Sequence, residues 1–484
     1  MVLNFASAQP YTGCALSVLT PLVNNHWRPP APKPPSSLGV GLKLLTGRAP
    51  DLLQLLPRAC YRKDIVSVPI GKRRVFIVND PDTLRRILID DRAAYPKSDL
   101  MVSTLEPLVG NGVLISSGAQ WEHDRKMLEP AFMQMRLEKL FPKMMEAVAD
   151  WMARLETLPV GAAIELEEEL SRVTADVMLR VLFSCPISGD DATRIFHRFI
   201  SFQRNCPQFN PQVILASAPG QQEPLPPALL DDARIIRSIL EKLLDQRLAD
   251  LAAGKPFVDF AQAVIDAQDA EGKPFTRQQM IDQLAVFFLA GHETTASGLA
   301  WSFFILAQQP TWVSALRDEA DEQLGDRPFQ FADHRTLVTA RAIFRESLRL
   351  YPPVAFLTRQ ALRDDRFGRL SVPEGSFIVI SPWVIHRHQA YWRDPDRFDP
   401  SRFHDNQNPP RPGTYLPFGL GPRACTGAMM AQLEASLILV EAWRRFSFEA
   451  LAPNEVFPVT RISVRMRQRL MCRVHRSATT KNVF

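Results

Sequence analysis

Phe418-Gly419-Leu420-Gly421-Pro422-Arg423-Ala424-Cys425-Thr426-Gly427 is the stretch that decides the fold of this 484-residue chain. It fits F-x-x-G-x-R-x-C-x-G at every fixed position and stands directly before Ala428 to Phe446, a run that reads as a helix. With five residues fixed, chance supplies such a window in on the order of one in 10⁴ chains of this length. The glycines permit a tight turn with positive φ, so backbone N–H groups point at the Cys425 sulfur, and the following helix N-terminus adds positive potential. Such a turn holds a thiolate. Free cysteine has a pKa of about 8.5, and ligation to a metal with amide hydrogen bonds makes the sulfur an anionic ligand at neutral pH. A lone cysteine in a glycine-rich turn is more often an inert core residue; the surrounding pattern reverses that here.

Upstream of the turn the chain is mostly helical. Apolar residues at three-to-four spacing predict helices over Trp121 to Leu140 (broken near Pro130), Pro142 to Leu158, Ile164 to Leu182, Leu229 to Ala252, Thr311 to Leu324 and Val338 to Leu350. The longest helix begins at a capping box, Thr276 with Gln279, and runs until Pro310 stops it: 33 residues, or roughly 50 Å at about 1.5 Å per residue. From Leu284 to Trp301 it is apolar nearly all round, which predicts burial on every side. Into that centre the sequence places Gly291-His292-Glu293-Thr294-Thr295. A buried acid costs several kcal/mol unless partnered or hydrated, so stability alone does not choose it. Ile65 to Asp80 reads as a hairpin around Gly71-Lys72-Arg73, Phe377 to Ser381 as a strand, and the tail as short strands. Cys206 to Ala228 holds six prolines and predicts a long loop of the kind that often forms a lid.

Composition narrows the class. Apolar residues make up 46% and charged residues 23%, excluding a disordered polymer and a polytopic membrane protein. A net charge of +5 is too small to imply nucleic-acid binding. Six scattered cysteines without a C-x-x-C pair argue against a disulfide scaffold or zinc knuckle and suit a reducing cytoplasm. The first 24 residues are interrupted by Asn4, Pro10, Gly13 and Pro21, which argues against a spanning helix and for a loose arm. Proline-dense chain follows to Ser36, so the expected organisation is an extended arm, 1–36, and one domain, 37–484.

The cysteine turn and the central helix resemble a cytochrome P450, a heme-thiolate monooxygenase, and the resemblance spans Asp64 to Arg476. It implies a mainly α fold with small β-sheets, with heme b (iron protoporphyrin IX) between the long helix and the cysteine turn. Cys425 is then the proximal iron ligand, with Phe418 and Gly419 against the sulfur and Arg423 on a propionate. Glu346-Ser-Leu-Arg349 matches the family's E-x-x-R pattern, whose i, i+3 spacing lets both charges meet Arg402 in Phe398-Asp-Pro-Ser-Arg-Phe403, where Ser401 replaces the common Glu. Trp121-Glu-His-Asp-Arg125 is similar to W-x-x-x-R, implying that Trp121 and Arg125 bond a propionate; Arg359 occupies another propionate position. Read alone, Arg125 suits a solvated helix face and Arg359 the cap of a strand equally well.

By the same resemblance, Gly291 leaves room over the iron, Thr294 hydrogen-bonds the oxygen bound there, and Glu293 relays protons through water, while His292 is helix packing. Phe287, Phe288 and Ala290, with Val354, Ala355, Phe356 and Leu357 and parts of Leu100 to Ile115, line an apolar substrate pocket, although each equally suits ordinary core. The activity implied is insertion of one oxygen atom from O2 into a fatty-acid, terpenoid or aromatic substrate. Electrons come indirectly from NAD(P)H through a separate ferredoxin or flavodoxin with its reductase, and Arg423 and Lys126 steer this acidic donor. The alternatives are a peroxide-driven peroxygenase and a non-catalytic heme-thiolate ligand-binding protein. Arg465, Arg467 and Arg469 alternate as on an exposed edge strand, which predicts solvated side chains.

Overall fold

A computed structural model describes residues 27–46, 51–70, 73–206, 224–404 and 409–477, and the fold is built around the long apolar helix. Thr276 Oγ1 accepts from the Gln279 N–H at 3.3 Å and Gln279 Oε1 accepts from the Thr276 N–H at 2.9 Å, closing the capping box. The helix ends at Leu306, one turn before Pro310. In chain order the helices are α1 (Ser37–Thr46), α2 (Pro81–Arg85), α3 (Asp99–Val109), α4 (Gly118–Leu128), α5 (Gln134–Glu156), α6 (Leu166–Phe183), α7 (Asp190–Asn205), α8 (Pro227–Ala252), α9 (Phe260–Asp266), the central α10 (Arg277–Leu306), α11 (Pro310–Leu324), α12 (Val338–Leu350), α13 (Pro382–Ile385) and α14 (Ala428–Arg445). α6, α8, α12 and α14 all pack against α10. The fold is mainly α with small sheets, as the resemblance implies.

Four short sheets complete it. β1 (Ile65–Ile70), β2 (Arg73–Val78), β7 (Phe377–Ile380) and β4 (Leu357–Gln360) lie side by side in that order, β2 and β7 being parallel. β3 (Ala163–Glu165), β11 (Met471–Arg476) and β8 (Phe446–Ala450) form a second sheet. β5 (Asp365–Phe367) pairs with β6 (Leu370–Val372), and β9 (Pro458–Thr460) with β10 (Val464–Met466). β10 is docked on α10: the Val464 carbonyl accepts from Ser297 Oγ at 2.7 Å and Trp301 Nε1 at 3.0 Å.

Several expectations shift. The chain breaks at Pro130 in a 3₁₀ turn, Glu129–Phe132, but α5 starts at Gln134 and carries Pro142 inside it. The donor missing at Pro142 is outweighed by the face that buries Leu137, Leu140, Phe141, Met144 and Val148. Ile164 belongs to a strand, because it pairs with Cys472 of β11. α7 went unread, although Ala192, Ile195, Phe196, Phe199 and Phe202 keep helical spacing. The first 26 residues, the hairpin tip Gly71-Lys72 and most of the proline-rich loop, 207–223, lie outside the described residues. The chain from Trp27 to Ser36 is extended and fastened down: Tyr351 Oη donates to the Pro30 carbonyl at 2.7 Å, and the Trp27 ring lies against Phe304. Among the described residues no helix is long and apolar enough to cross a membrane.

Candidate active site

The cysteine turn is held from behind by a knot of buried charge. Arg349 and Glu346 have no exposed surface. Arg349 donates to both Glu346 oxygens, at 2.7 and 2.8 Å, and to the carbonyls of His386, Pro395 and Arg397 at 2.6 to 2.9 Å. Glu346 also accepts from the Asp399 N–H at 2.8 Å and lies 3.5 Å from Arg402 Nε, which brings the three motif residues together. The knot passes directly to the turn. Burial pushes the His386 imidazole down to about 3, so the ring is neutral; Nδ1 faces the Arg349 carbonyl at 3.1 Å and Nε2 accepts from the Leu416 N–H at 2.7 Å. The Leu416 carbonyl accepts from Gly419, and the Phe418 carbonyl accepts from the Cys425 N–H at 2.8 Å.

Gly421 has φ +76°, and a Cβ there would lie 2.7 Å from Ile89 Cγ1, so only glycine fits. Cys425 is exposed, yet the protein atoms around its sulfur raise the thiol, while the Gly427 amide and Arg125 pull it down. The net shift is upward, and a thiolate at this turn calls for a metal ligand.

α10 is buried continuously from Met280 to Leu306 except at Ala290, Gly291 and Thr294. These share one face. Phe287 stands on that face one turn earlier; its ring meets Phe132 at 5.1 Å, and Phe132 lies 3.9 Å from where a Gly427 Cβ would be. The accessible stripe therefore looks toward the cysteine turn. Phe356 and Leu357 are half-buried and Val354 is exposed.

Five readings on these elements need correction. Phe288 is not pocket lining: it is fully buried, edge-on to Phe199 and beside His292. Ala355 is also core, at 4% exposure. Gly291 does not leave empty space on its side-chain side: a Cβ there would lie 2.2 Å from Met178 Sδ, so the glycine admits α6 against α10. Glu293 is no free relay. Ser463 Oγ (2.5 Å), Arg465 Nε (3.0 Å), Arg465 Nη2 and Gln203 Nε2 all donate to its carboxylate. That engagement also overturns the solvated edge strand at Arg465, which is 7% exposed because β10 is pressed onto the helix that bears Glu293.

A cluster of cations surrounds the opposite side of the turn. Arg423 Nη1 donates to the Ser116 carbonyl at 3.0 Å and its guanidinium lies 4.1 Å over the Trp121 ring. Arg359 Nη1 donates to the Thr358 carbonyl, Lys97 Nζ to the Leu114 carbonyl, and Arg125 Nη1 to the Ala424 carbonyl at 2.9 Å. Burial lowers Arg359 to about 10; burial first and then the neighbouring Arg359, Arg92 and Arg125 lower Arg423 to about 10. Burial, Arg423 and Arg359 hold Lys97 well down. Among the described residues none of Lys97, Arg359 and Arg423 has a carboxylate within ion-pair distance. Cations crowded together in this way, Arg359 buried and Lys97 and Arg423 half-buried, call for an anion, and the propionates of a heme fit. Arg423 is committed here rather than displayed to a donor protein, while Lys126 is exposed on the same helix as Glu122. Sequence reading missed Lys97, Gln203, Ser463, Met178 and Phe132. For Arg465, the flanking apolar residues Val464 and Met466 were the available signal; Lys97 offers none.

A glycine-bounded cysteine turn, a cation cluster in which Lys97, Arg359 and Arg423 have no carboxylate within ion-pair distance among the described residues, and an accessible stripe on a buried helix define a heme-thiolate oxidoreductase. The model of the Cytochrome P450 family matches residues 29–467, and the chain belongs to that family. It is 31% identical over 451 residues to cyclooctatin synthase of Streptomyces melanosporofaciens, covering 91% of this chain and 94% of that one. Cyclooctat-9-en-7-ol 5-monooxygenase of the same organism is 30% identical, with 81% and 84% covered. A cytokinin hydroxylase of Arabidopsis thaliana is 30% identical, with 78% and 74% covered. The crystal structure of cytochrome P450DA heme domain superposes with a TM-score of 0.78 at 22% identity, over 93% of this chain and 98% of that one.

Proposed function

We propose that this cytochrome P450 is an O2-dependent monooxygenase that hydroxylates or epoxidises a compact, largely apolar substrate of terpenoid type. The observation that carries the reading is the accessible stripe on α10: Ala290 and Gly291 are apolar, and Thr294 Oγ1 is its one polar side-chain atom. Such a surface orients a hydrocarbon by shape and offers a single proton-bearing group. The names of the two Streptomyces relatives favour a ring compound over a fatty acid; one of them is a monooxygenase of a substrate named as an unsaturated alcohol.

Each turnover takes two electrons and two protons; one oxygen atom of O2 ends in the product and the other leaves as water. Cys425 Sγ would hold the iron, and Lys97, Arg359, Arg423 and Trp121 the propionates; when bound, the heme supplies the oxygen-activating chemistry. Thr294 Oγ1 donates to the Ala290 carbonyl at 2.8 Å and needs only to rotate to present its proton to the pocket. Glu293 lies behind it, held by Ser463, Gln203 and Arg465. The electrons derive from NAD(P)H through a separate ferredoxin- or flavodoxin-type carrier.

Optical titration of the purified ferric protein tests the substrate class. A saturable shift of the heme band with a cyclic terpenoid alcohol, and none with a long-chain fatty acid, is expected. The reverse pattern would refute the terpenoid assignment, and a protein without a heme spectrum would refute the reaction.

A further inference from the structure

The loop that leaves α3 is gripped far from the cysteine turn. Asp282, in the second turn of α10, is nearly buried and accepts from Arg237 Nη2 of α8 at 2.7 Å, from Gln278 Nε2 at 3.0 Å and from the Asn111 N–H at 3.1 Å. Arg237 Nη1 donates in turn to the carbonyl of Leu108, in the last turn of α3, at 3.0 Å. The next residue of α10 continues the grip: Gln283 Oε1 accepts from the Val113 N–H at 2.9 Å. Two glycines allow the approach. A Cβ on Gly110, at φ +53°, would lie 2.1 Å from Asp282 Oδ1, and one on Gly112 would lie 2.6 Å from Val286 Cγ2. Backbone is therefore pressed onto helix without a side chain between them.

The same loop ends in the cofactor site, since the Leu114 and Ser116 carbonyls receive Lys97 and Arg423. Residues 108–116 thus hang between two anchors, the Arg237–Asp282 pair and the cation cluster. Val102 and Leu105 of α3 are half-buried against the apolar core and Pro107 is half-buried too, so α3 is a surface helix laid over α8 and α10.

Resting on the oxygenase reading above, we infer that Arg237 and Asp282 are positioning residues whose ion pair fixes α3 over the substrate pocket and sets the rate at which bulky ligands enter and leave. Removing either charge leaves the Leu108 carbonyl or the Asn111 amide with a weaker partner, so the end of α3 lifts more often without altering the pocket it closes. A second buried pair on the same helix provides the contrast. Arg247 of α8 donates to Asp259 at 2.7 Å and to the Phe183 carbonyl at 2.8 Å, and neither bond reaches α3.

The test is stopped-flow absorption of the heme-loaded protein with two iron ligands, phenylimidazole as the bulky probe and cyanide as the small one. In Arg237→Gln and Asp282→Asn, association and dissociation of phenylimidazole both accelerate by about tenfold while its affinity changes by less than about threefold, and cyanide kinetics are unchanged. Amide exchange at Asn111 and Val113 accelerates in parallel. Arg247→Gln lowers the melting temperature and leaves phenylimidazole kinetics alone. Phenylimidazole rates within about twofold of wild type in the latch variants, or an equal acceleration in Arg247→Gln, would overturn the latch while leaving the oxygenase reading standing. A wild-type protein whose absorption answers neither probe would overturn the oxygenase reading and the latch with it. Should Arg237→Gln fail to fold, Asp282→Asn, which keeps an oxygen for the Asn111 amide, decides alone.

Discussion

Replacing Arg465 by methionine removes a cation enclosed by two carboxylates. Its Nε and Nη2 bonds to Glu293 disappear, with the 3.4 Å bond from Nη1 to Ser171 Oγ and the 3.7 Å ion pair to Glu167. Glu293 keeps Ser463 and Gln203, and Glu167 keeps the Met466 N–H at 3.2 Å and the more distant charge of Arg461; among the described residues neither retains a cation within ion-pair distance. Breaking a buried pair from one side costs about 3–5 kcal/mol, whereas a solvated residue on an edge strand costs within about 0.5 kcal/mol. The two expectations differ by on the order of a hundredfold in the unfolding equilibrium. Guanidinium unfolding of Arg465→Met, Glu293→Gln and the double variant, at equal protein and heme concentrations, separates them. The double variant should regain about 2–3 kcal/mol of the sum of the single losses. In Arg465→Met a buried carboxyl without its cation binds its proton more tightly in the folded state, so the deficit narrows as pH falls through that raised pKa. A loss under about 1 kcal/mol for Arg465→Met, or strict additivity in the double variant, would refute the buried pair.

Glu346→Gln should cost about 3–5 kcal/mol, because Arg349 is left buried and charged; the ratio of heme to protein absorbance after purification checks it, and a normal ratio with normal stability contradicts the knot. Gly291→Ala forces its methyl against Met178 and should destabilise by about 1–3 kcal/mol, with Gly291→Ala/Met178→Ala less destabilised than the sum of the single changes, both read by denaturant unfolding. His123 is raised by its bonds to Asp124 first and Asp269 second. Its contribution is therefore fully present below pH 6.5 and is lost as pH rises through the raised value. The melting-temperature gap between wild type and His123→Gln should close on the alkaline side, the effect being small because the ring is half exposed.

What was legible in the sequence was local. The capping box at Thr276 and Gln279, the E-x-x-R pair and the glycine-bounded cysteine turn each satisfy themselves within a few residues, so their chemistry shows in spacing. Glu293 and Arg465 meet across 172 residues, and nothing near either residue names the other. Lys97 is drawn into the cation cluster by the fold of the loop beyond it. Helical spacing placed Phe287 and Phe288 together on an apolar run, but neighbours one position apart point about 100° apart, and only the packing of α7 decides that Phe288 faces Phe199. Gly291 was read as space for a ligand when the space is filled by a neighbouring helix; a missing side chain says that something comes close and not what it is.

The segment from His386 to Arg397 has almost no regular structure after the short helix α13, yet it must deliver the cysteine turn to one place. Its carbonyls converge on a single guanidinium, that of Arg349, much as the oxygens of a cation-binding loop converge on their ion. The difference is that this ion is tethered to a helix. Neither dilution nor a chelator can strip it, and the loop that lands the cysteine turn keeps its shape only while α12 presents the charge.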